Sequence, residues 1–369
     1  MKRITALLLI FCLLLCACRR KPSGSGATTE ATGNTKPTVT QPNQEDTKPT
    51  EPGSPTEPEE TQPAVNRHPL TGVVLDEPWV GQAVAVMINN AAAAMPQCGI
   101  SQADIFCELE VEGSSTRCLA IFTDLSNVET IGPIRSARTG FVSLATAFDA
   151  PLVHCGGSPY ALDAQYGENG KLQNWEHIDE MSNGKYFFRD TERQQNGVAY
   201  EHTLFTKGEL LELAMSNKNL NTPTGKTFGM QFQEGVQLKG AKAKEVVVTF
   251  KSGKTTTFVY NESTGLYKMQ QRGADHIDGN TGEPVSFKNL ITIYTKQWLA
   301  PTKVHKFYET IGSGEGYAAV NGTIVPILWS RADVNSPFTY TLADGTPLKL
   351  DVGTTYVAVV GTGNPISYK

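Results

Sequence analysis

Beyond residue 15 the chain has no apolar run approaching the roughly 20 residues that a membrane-crossing helix requires, so no later segment is expected to span a bilayer. It has no excess of basic charge. Lys and Arg number 32 against 37 Asp and Glu, and the net charge of −5 argues against nucleic acid as a partner. Its cysteines follow no zinc-ligand spacing, so no metal site is expected. The Gly156-Gly157 turn has neither a following Gly-Lys-Ser/Thr, which a phosphate loop needs, nor the Gly-x-Ser-x-Gly of a nucleophile elbow. Gly312-Ser313-Gly314-Glu315-Gly316 lacks the spacing of a dinucleotide fingerprint. No cofactor is therefore expected. From Lys21 to Asn66 there is no aromatic residue and no Leu, Ile or Met. Such a stretch cannot bury enough apolar surface to offset the entropy cost of ordering it.

The N-terminus carries an address. Met1-Lys2-Arg3 is basic, and the run from Ile4 to Leu15, broken only by Thr5, has the length of a signal-peptide core. Leu15-Cys16-Ala17-Cys18 resembles the lipobox of bacterial lipoproteins, with Cys16 where Ala or Ser is more usual. Residues 1–17 are expected to be cleaved, leaving Cys18 to carry the lipid and to hold the protein extracytoplasmically on the cell membrane. Residues 18–66 then form a Thr/Pro/Glu-rich stalk kept extended by its prolines. Cys98, Cys107, Cys118 and Cys155 remain in the folded part. In an oxidising compartment they could form disulfides in any of three pairings.

The folded region divides by pattern. Over residues 67–216 strands expected at Val84–Ile88, Ala103–Glu112, Cys118–Phe122 and Pro151–Cys155 alternate with helices at Ser136–Phe148, Pro159–Tyr166 and Lys207–Met215. This alternation predicts an α/β domain. After a linker at 217–240, residues 241–365 are a succession of short strands separated by Ser252-Gly253, Asn321-Gly322 and Asp344-Gly345. The last two pairs tolerate the positive φ of tight hairpins, and a mainly antiparallel β domain follows.

Several long strings resemble the two-domain YerB-type bacterial lipoproteins. For the N-terminal domain they are Pro69-Leu70-Thr71-Gly72, Val86-Met87-Ile88-Asn89-Asn90, Ser101-Gln102-Ala103-Asp104, Val111-Glu112-Gly113, Ile131 to Arg138, and His154-Cys155-Gly156-Gly157-Ser158. For the C-terminal domain they are Tyr267, His276-Ile277-Asp278, Asn289, Gly312-Ser313-Gly314, Trp329 and Gly353. The resemblance covers nearly all of the folded region. It implies the two-domain architecture and, since the family has no established activity, implies no mechanism. Where the family tends to continue from Arg189-Asp190 into Pro-His-Asn, this chain has Tyr200-Glu201-His202-Thr203, with the histidine kept.

Three constellations could carry chemistry. On a strand, Glu108, Glu110 and Glu112 share one face while Cys107, Leu109 and Val111 point into a core. With Arg117 on the returning strand, the face reads either as a carboxylate-lined groove suited to acid–base work or as a solvated edge with an internal Arg pair. Arg135, Ser136 and Arg138 sit at an expected helix start with Ser136 as N-cap. Arginines there oppose the helix dipole and call for an anion, either a ligand or one of the glutamates. His154, Gly156, Gly157 and Ser158 form a strand–glycine–helix turn that could cradle an anion. Cys155 beside His154 points to the opposite strand face, so the two would not pair, and a structural cysteine is the plainer reading. His154 could instead meet His202 or Arg189. In the second domain, His276-Ile277-Asp278 reads as a turn-like polar cluster. Tyr294, Trp298, Tyr308, Tyr340 and Tyr356 could line a polymer-binding surface or belong to the core.

Two functions follow. The first is a non-enzymatic binding or assembly protein of the cell envelope with an Arg/Gly-rich anion groove. It would engage an anionic wall polymer, a peptide or an envelope protein. The second is a hydrolase or transferase acting on phosphate-bearing or glycan substrates through the glutamates. No nucleophile–base pair is visible, which favours the first.

Overall fold

Residues of two sequence halves are woven into one sheet. The computed structural model describes residues 65–163, 176–222 and 227–369, which fall in the unit Gln62–Lys369. Cys18, the signal peptide and residues 18–64 lie outside the described residues, as do 164–166 of the helix expected at Pro159–Tyr166.

The first half supplies strands β1 (Val84–Asn89), β2 (Ile105–Glu110) and β3 (Thr116–Phe122), helix α1 (Thr139–Ala147), β4 (Leu152–His154), α2 (Pro159–Leu162) and β5 (His177–Asp179). It continues with α3 (Glu180–Asn183), β6 (Phe188–Arg189), α4 (Thr191–Gln195), β7 (Leu204–Phe205) and α5 (Gly208–Asn217). The second half is strands only: β8 (Ala241–Lys242), β9 (Glu245–Thr249), β10 (Thr255–Asn261), β11 (Leu266–Gln271), β12 (Ala274–Asp275), β13 (Ser286–Phe287) and β14 (Asn289–Thr295). Then come β15 (Gln297–Leu299), β16 (Lys306–Tyr308), β17 (Gly312–Val320), β18 (Thr323–Arg331), β19 (Thr339–Leu342), β20 (Thr355–Gly361) and β21 (Ile366–Tyr368). The first half is thus mixed α/β and the second mainly antiparallel β.

The large sheet runs β19-β18-β17-β14-β20-β2-β3-β1-β4-β5, with β8 on β18. Strand β20 pairs in parallel with β14 on one side and with β2 on the other. This join has a consequence for the carboxylates. The period-two reading held for Cys107, Leu109 and Val111, which enter one core cluster. The solvated edge did not hold: β2 is flanked by β3 and β20, and Glu108 and Glu110 are buried. A strand arriving from residue 355 onward covers what the first half alone would leave open.

Each face of the sheet is covered. On one, α1 brings Phe141, Val142 and Leu144 against Leu109, Ile121 and Val359. On the other, α5 and the six-stranded sheet β12-β11-β10-β9-β21 (with β13 on β11) contribute Leu211, Phe258, Tyr267 and Phe287 against Phe106, Tyr356 and Ala358. Each large apolar side chain so buried contributes about 1.5–3 kcal/mol. Asn321-Gly322 forms the two-residue turn between β17 and β18, with φ of +48° and +74°, as the hairpin chemistry demands.

One further expectation is corrected and several open alternatives are decided. The four cysteines are free. Cys107 and Cys118 lie in different core clusters on opposite faces of the sheet, so those two could not bridge. Helix α1 begins at Thr139 with Arg138, not Ser136, in the cap position and no side-chain cap. Residues 131–137 are held extended by bridges to Thr206, Cys98, Ile88 and Gly157, which delays the helix. The polar cluster at His276-Ile277-Asp278 adjoins a turn, and His276 and Asp278 are buried. Asp278 accepts from the amides of Gly99 and Ser101 and from the Ser101 hydroxyl, and His276 meets Gln97. They tie the two halves together. The aromatic set forms no common surface, since Tyr308, Tyr340 and Tyr356 are core residues and only Trp298 is exposed.

Candidate anion-binding site

Strand direction puts the chemistry at one edge. Strands β1 and β2 both run antiparallel to β3, and β4, β5, β20 and β14 run parallel to them. All six therefore end on the same side, outside which ligands bind in sheets of this kind. Residues 135–137 cross over these ends. The Arg135 amide donates to Met87, Cys155 donates to Arg135, and Ala137 donates to Gly156. This path delivers Arg135 and Arg138 to the edge, and Arg117 arrives at the start of β3 opposite Asn89 and Leu109.

Glu112 is shared by two guanidinium groups. Its carboxylate accepts from Arg117 Nη2 at 3.1 Å and from Arg138 Nε at 2.9 Å and Nη2. Burial pulls its pKa upward, but the bonds from Arg138 and the charges of Arg117 and Arg138 prevail and hold it at about 2. Arg117 also donates to Ser136 O at 2.6 Å. Burial, then Arg138, and further along Arg135, push its own pKa down to about 9, opposed by Glu112. Arg135 pairs with Glu201 at 3.1 Å, and Glu201 is more than half exposed. Three guanidiniums thus face two carboxylates. His305 lies nearby with Nδ1 buried and without a hydrogen-bond partner among the described residues; burial, then Arg138, lower its pKa.

The glycine turn is closed from within. Gly156 adopts φ +58°, and its amide donates to Asp179 Oδ1 at 2.8 Å, so an internal carboxylate fills the place expected for an anion. Ser158 caps α2 by accepting from Ala161, and Gly157 packs where a Cβ would meet Leu162 at 3.0 Å. His154 is fully buried and meets neither His202 nor Arg189. Its Nδ1 lies 2.8 Å from Gly156 O and its Nε2 2.9 Å from His177 Nδ1. The His177 contact comes from β5, whose position beside β4 no local pattern announces. His202 instead faces Asn89 at 2.7 Å and Glu201 at 3.4 Å. Arg189 stacks on Tyr200 at 3.9 Å and lies 3.9 Å from Glu180. Burial, then the bond to Glu180, push the Cys155 thiol up to about 11.

Glu108 is buried away from the arginines, while Glu110 lines a small cavity with Glu112 and Arg138 but is paired elsewhere. Glu108 accepts from Asn90, Thr116, Thr256, Gln271 and Tyr356. Glu110 pairs with Lys306 at 2.7 Å and accepts from Gln297. The sequence reading missed Lys306, His305, Thr256 and Gln271, and named Tyr356 without its bond to Glu108, all in the second half. No local spacing marks them, because strand pairing across more than 140 residues brings them in. No group of three or more metal-ligating side chains occurs among the described residues.

Residues 70–221 match a family model described as the N-terminal domain of a protein of unknown function (DUF3048), and residues 246–357 match the DUF3048 C-terminal domain. A Bacillus subtilis (strain 168) relative named "Putative lipoprotein YerB" is 28% identical over 296 residues, covering 79% of this chain and 85% of that protein. A crystal structure of YerB protein from Bacillus subtilis matches with a TM-score of 0.68 at 26% identity, over 82% of this chain and 99% of that one.

Proposed function

The chain belongs to the DUF3048 family, and with that as the premise we propose that it is a lipid-anchored extracytoplasmic binding protein that holds an anionic group, a phosphodiester or carboxylate of an envelope polymer, at the Arg117–Arg135–Arg138 edge of its sheet. One observation carries the reading: Glu112 is divided between Arg117 and Arg138 while Arg135 has, among the described residues, only the exposed Glu201. The edge is one negative charge short. Guanidinium forks bind phosphate and carboxylate oxygens in pairs, so a ligand anion completes the set. Lipid anchoring is supported by the lipobox-like Cys18 and by the name of the Bacillus subtilis relative.

A binding role fits these side chains better than catalysis. A thiol held near 11 is protonated at neutral pH, both ring nitrogens of His154 are engaged, and Glu108 and Glu110 are locked in bonds to the second half. The test is co-sedimentation of the full chain with purified cell-wall sacculi, before and after removal of their phosphodiester polymer. Binding is expected to fall at least about tenfold on stripping and on Arg135→Ala, the loss of one charge-assisted contact. Equal binding to intact and stripped walls excludes the phosphodiester as the ligand, and equal binding by Arg135→Ala and wild type refutes the reading.

A further inference from the structure

Away from that edge, a cleft of about 660 Å³ opens beside the first described residues, within the size range of small-molecule sites. Its apolar floor is Trp79, Phe228 and Tyr340. The Trp79 indole lies flat against Gly81, where an added Cβ would sit 2.6 Å from the ring, so only glycine admits this placement. His68 and Phe228 brace the same ring at centroid distances of 5.8 and 5.9 Å. The indole is thus held in a fixed pose, partly buried against the core and partly exposed to the cleft. Amides and hydroxyls of Asn66, Gln82, Gln231 and Thr341 border this floor. Among the described residues the charged side chains lining the cleft are Arg67 and Asp149, one of each sign, in contrast with the surplus of arginine at the sheet edge.

We infer that this cleft is a second binding site, for an uncharged glycan segment. A braced aromatic face suits the CH faces of sugar rings, and a rim of amides and hydroxyls suits their hydroxyl groups. Charge balance disfavours an anionic or cationic occupant. An extended peptide is disfavoured because the backbone beside the cleft is already paired. Leu348 donates to Tyr340 O, Leu342 to Thr346 O, and Leu350 to Gln231 O, so strand addition at these positions has no free ladder.

The test is titration of the full chain with chitotetraose, an uncharged β-1,4-linked N-acetylglucosamine tetramer, followed by calorimetry and tryptophan fluorescence. Saturable binding is expected, weakened at least about tenfold by Trp79→Ala. Thr341→Arg fills the cleft while keeping Trp79, and is expected to abolish binding with the melting temperature preserved. It decides the matter should Trp79→Ala fail to fold. Arg135→Ala is expected to leave chitotetraose binding unchanged, which separates this site from the anion edge. Absence of saturable binding at millimolar glycan, or binding retained in Thr341→Arg, overturns the inference.

Discussion

Replacing Glu112 by Gln keeps the shape of the side chain and removes the charge that Arg117 and Arg138 share. The carboxyl stands at about 2 against an ordinary value of 4.5, a difference equivalent to about 3 kcal/mol. A quarter of the side chain is exposed, so water screens part of this, and the expected loss of stability at neutral pH is about 2 kcal/mol. A carboxyl whose folded pKa is depressed stabilises in full above its unfolded value and ceases to do so as pH falls through the folded one. The gap between wild type and Glu112→Gln, measured by urea unfolding, is therefore expected to be flat above about pH 5 and to close between about pH 4.5 and pH 2. The same variant enlarges the deficit of negative charge at the edge. Inorganic phosphate should then stabilise Glu112→Gln more than wild type, in which Glu112 already neutralises part of the charge of Arg117 and Arg138. At a hundred times its dissociation constant it would add about 2.7 kcal/mol. A gap below about 0.5 kcal/mol, or one unchanged in acid, refutes the electrostatic account. Equal phosphate stabilisation of both proteins refutes the binding account.

Cys18→Ala should release the protein into the medium, as fractionation and immunoblotting would show; retention on the membrane would remove the anchor assignment. Truncation after Thr354 deletes β20, uncovers β2 and β14, and should abolish the cooperative unfolding transition of both halves rather than leave a folded first half. Tyr356→Phe takes one of five donors from buried Glu108 and should cost about 1–2 kcal/mol in urea unfolding. Iodoacetamide labelling of Cys155 in the folded chain, followed by mass spectrometry, should be roughly a hundredfold slower at pH 7.5 than that of an ordinary cysteine and should accelerate toward pH 10.

What could be read in the sequence is what depends on neighbours along the chain. Alternation in residues 107–111 placed Cys107, Leu109 and Val111 in a core, Asn321-Gly322 marked a hairpin, and Ser158 before Pro159 marked a helix start. The five-residue return from Glu112 to Arg117 likewise made their pairing one of the two open readings. What could not be read depends on β20 crossing from the second half into the middle of the sheet. That crossing turns β2 from an edge into an interior strand. It hands Glu108 to Thr256, Gln271 and Tyr356, while neighbouring β15 and β16 hand Glu110 to Gln297 and Lys306.

The candidate site is smaller than the groove first expected because the fold distributes its charges. Of three glutamates spaced two apart, two are spent on joining the halves of the chain. Only Glu112, lying past the end of β2, is left to face the arginines. Had all three shared a solvated face, they and Glu201 would have outnumbered Arg117, Arg135 and Arg138, and the edge would repel anions. Burying Glu108 and Glu110 among partners from residues 256–356 leaves Arg117, Arg135 and Arg138 in excess at the ends of the parallel strands. The sign of the site is thus set by the same long-range strand pairing that holds the sheet together, which links anion binding to an intact second half.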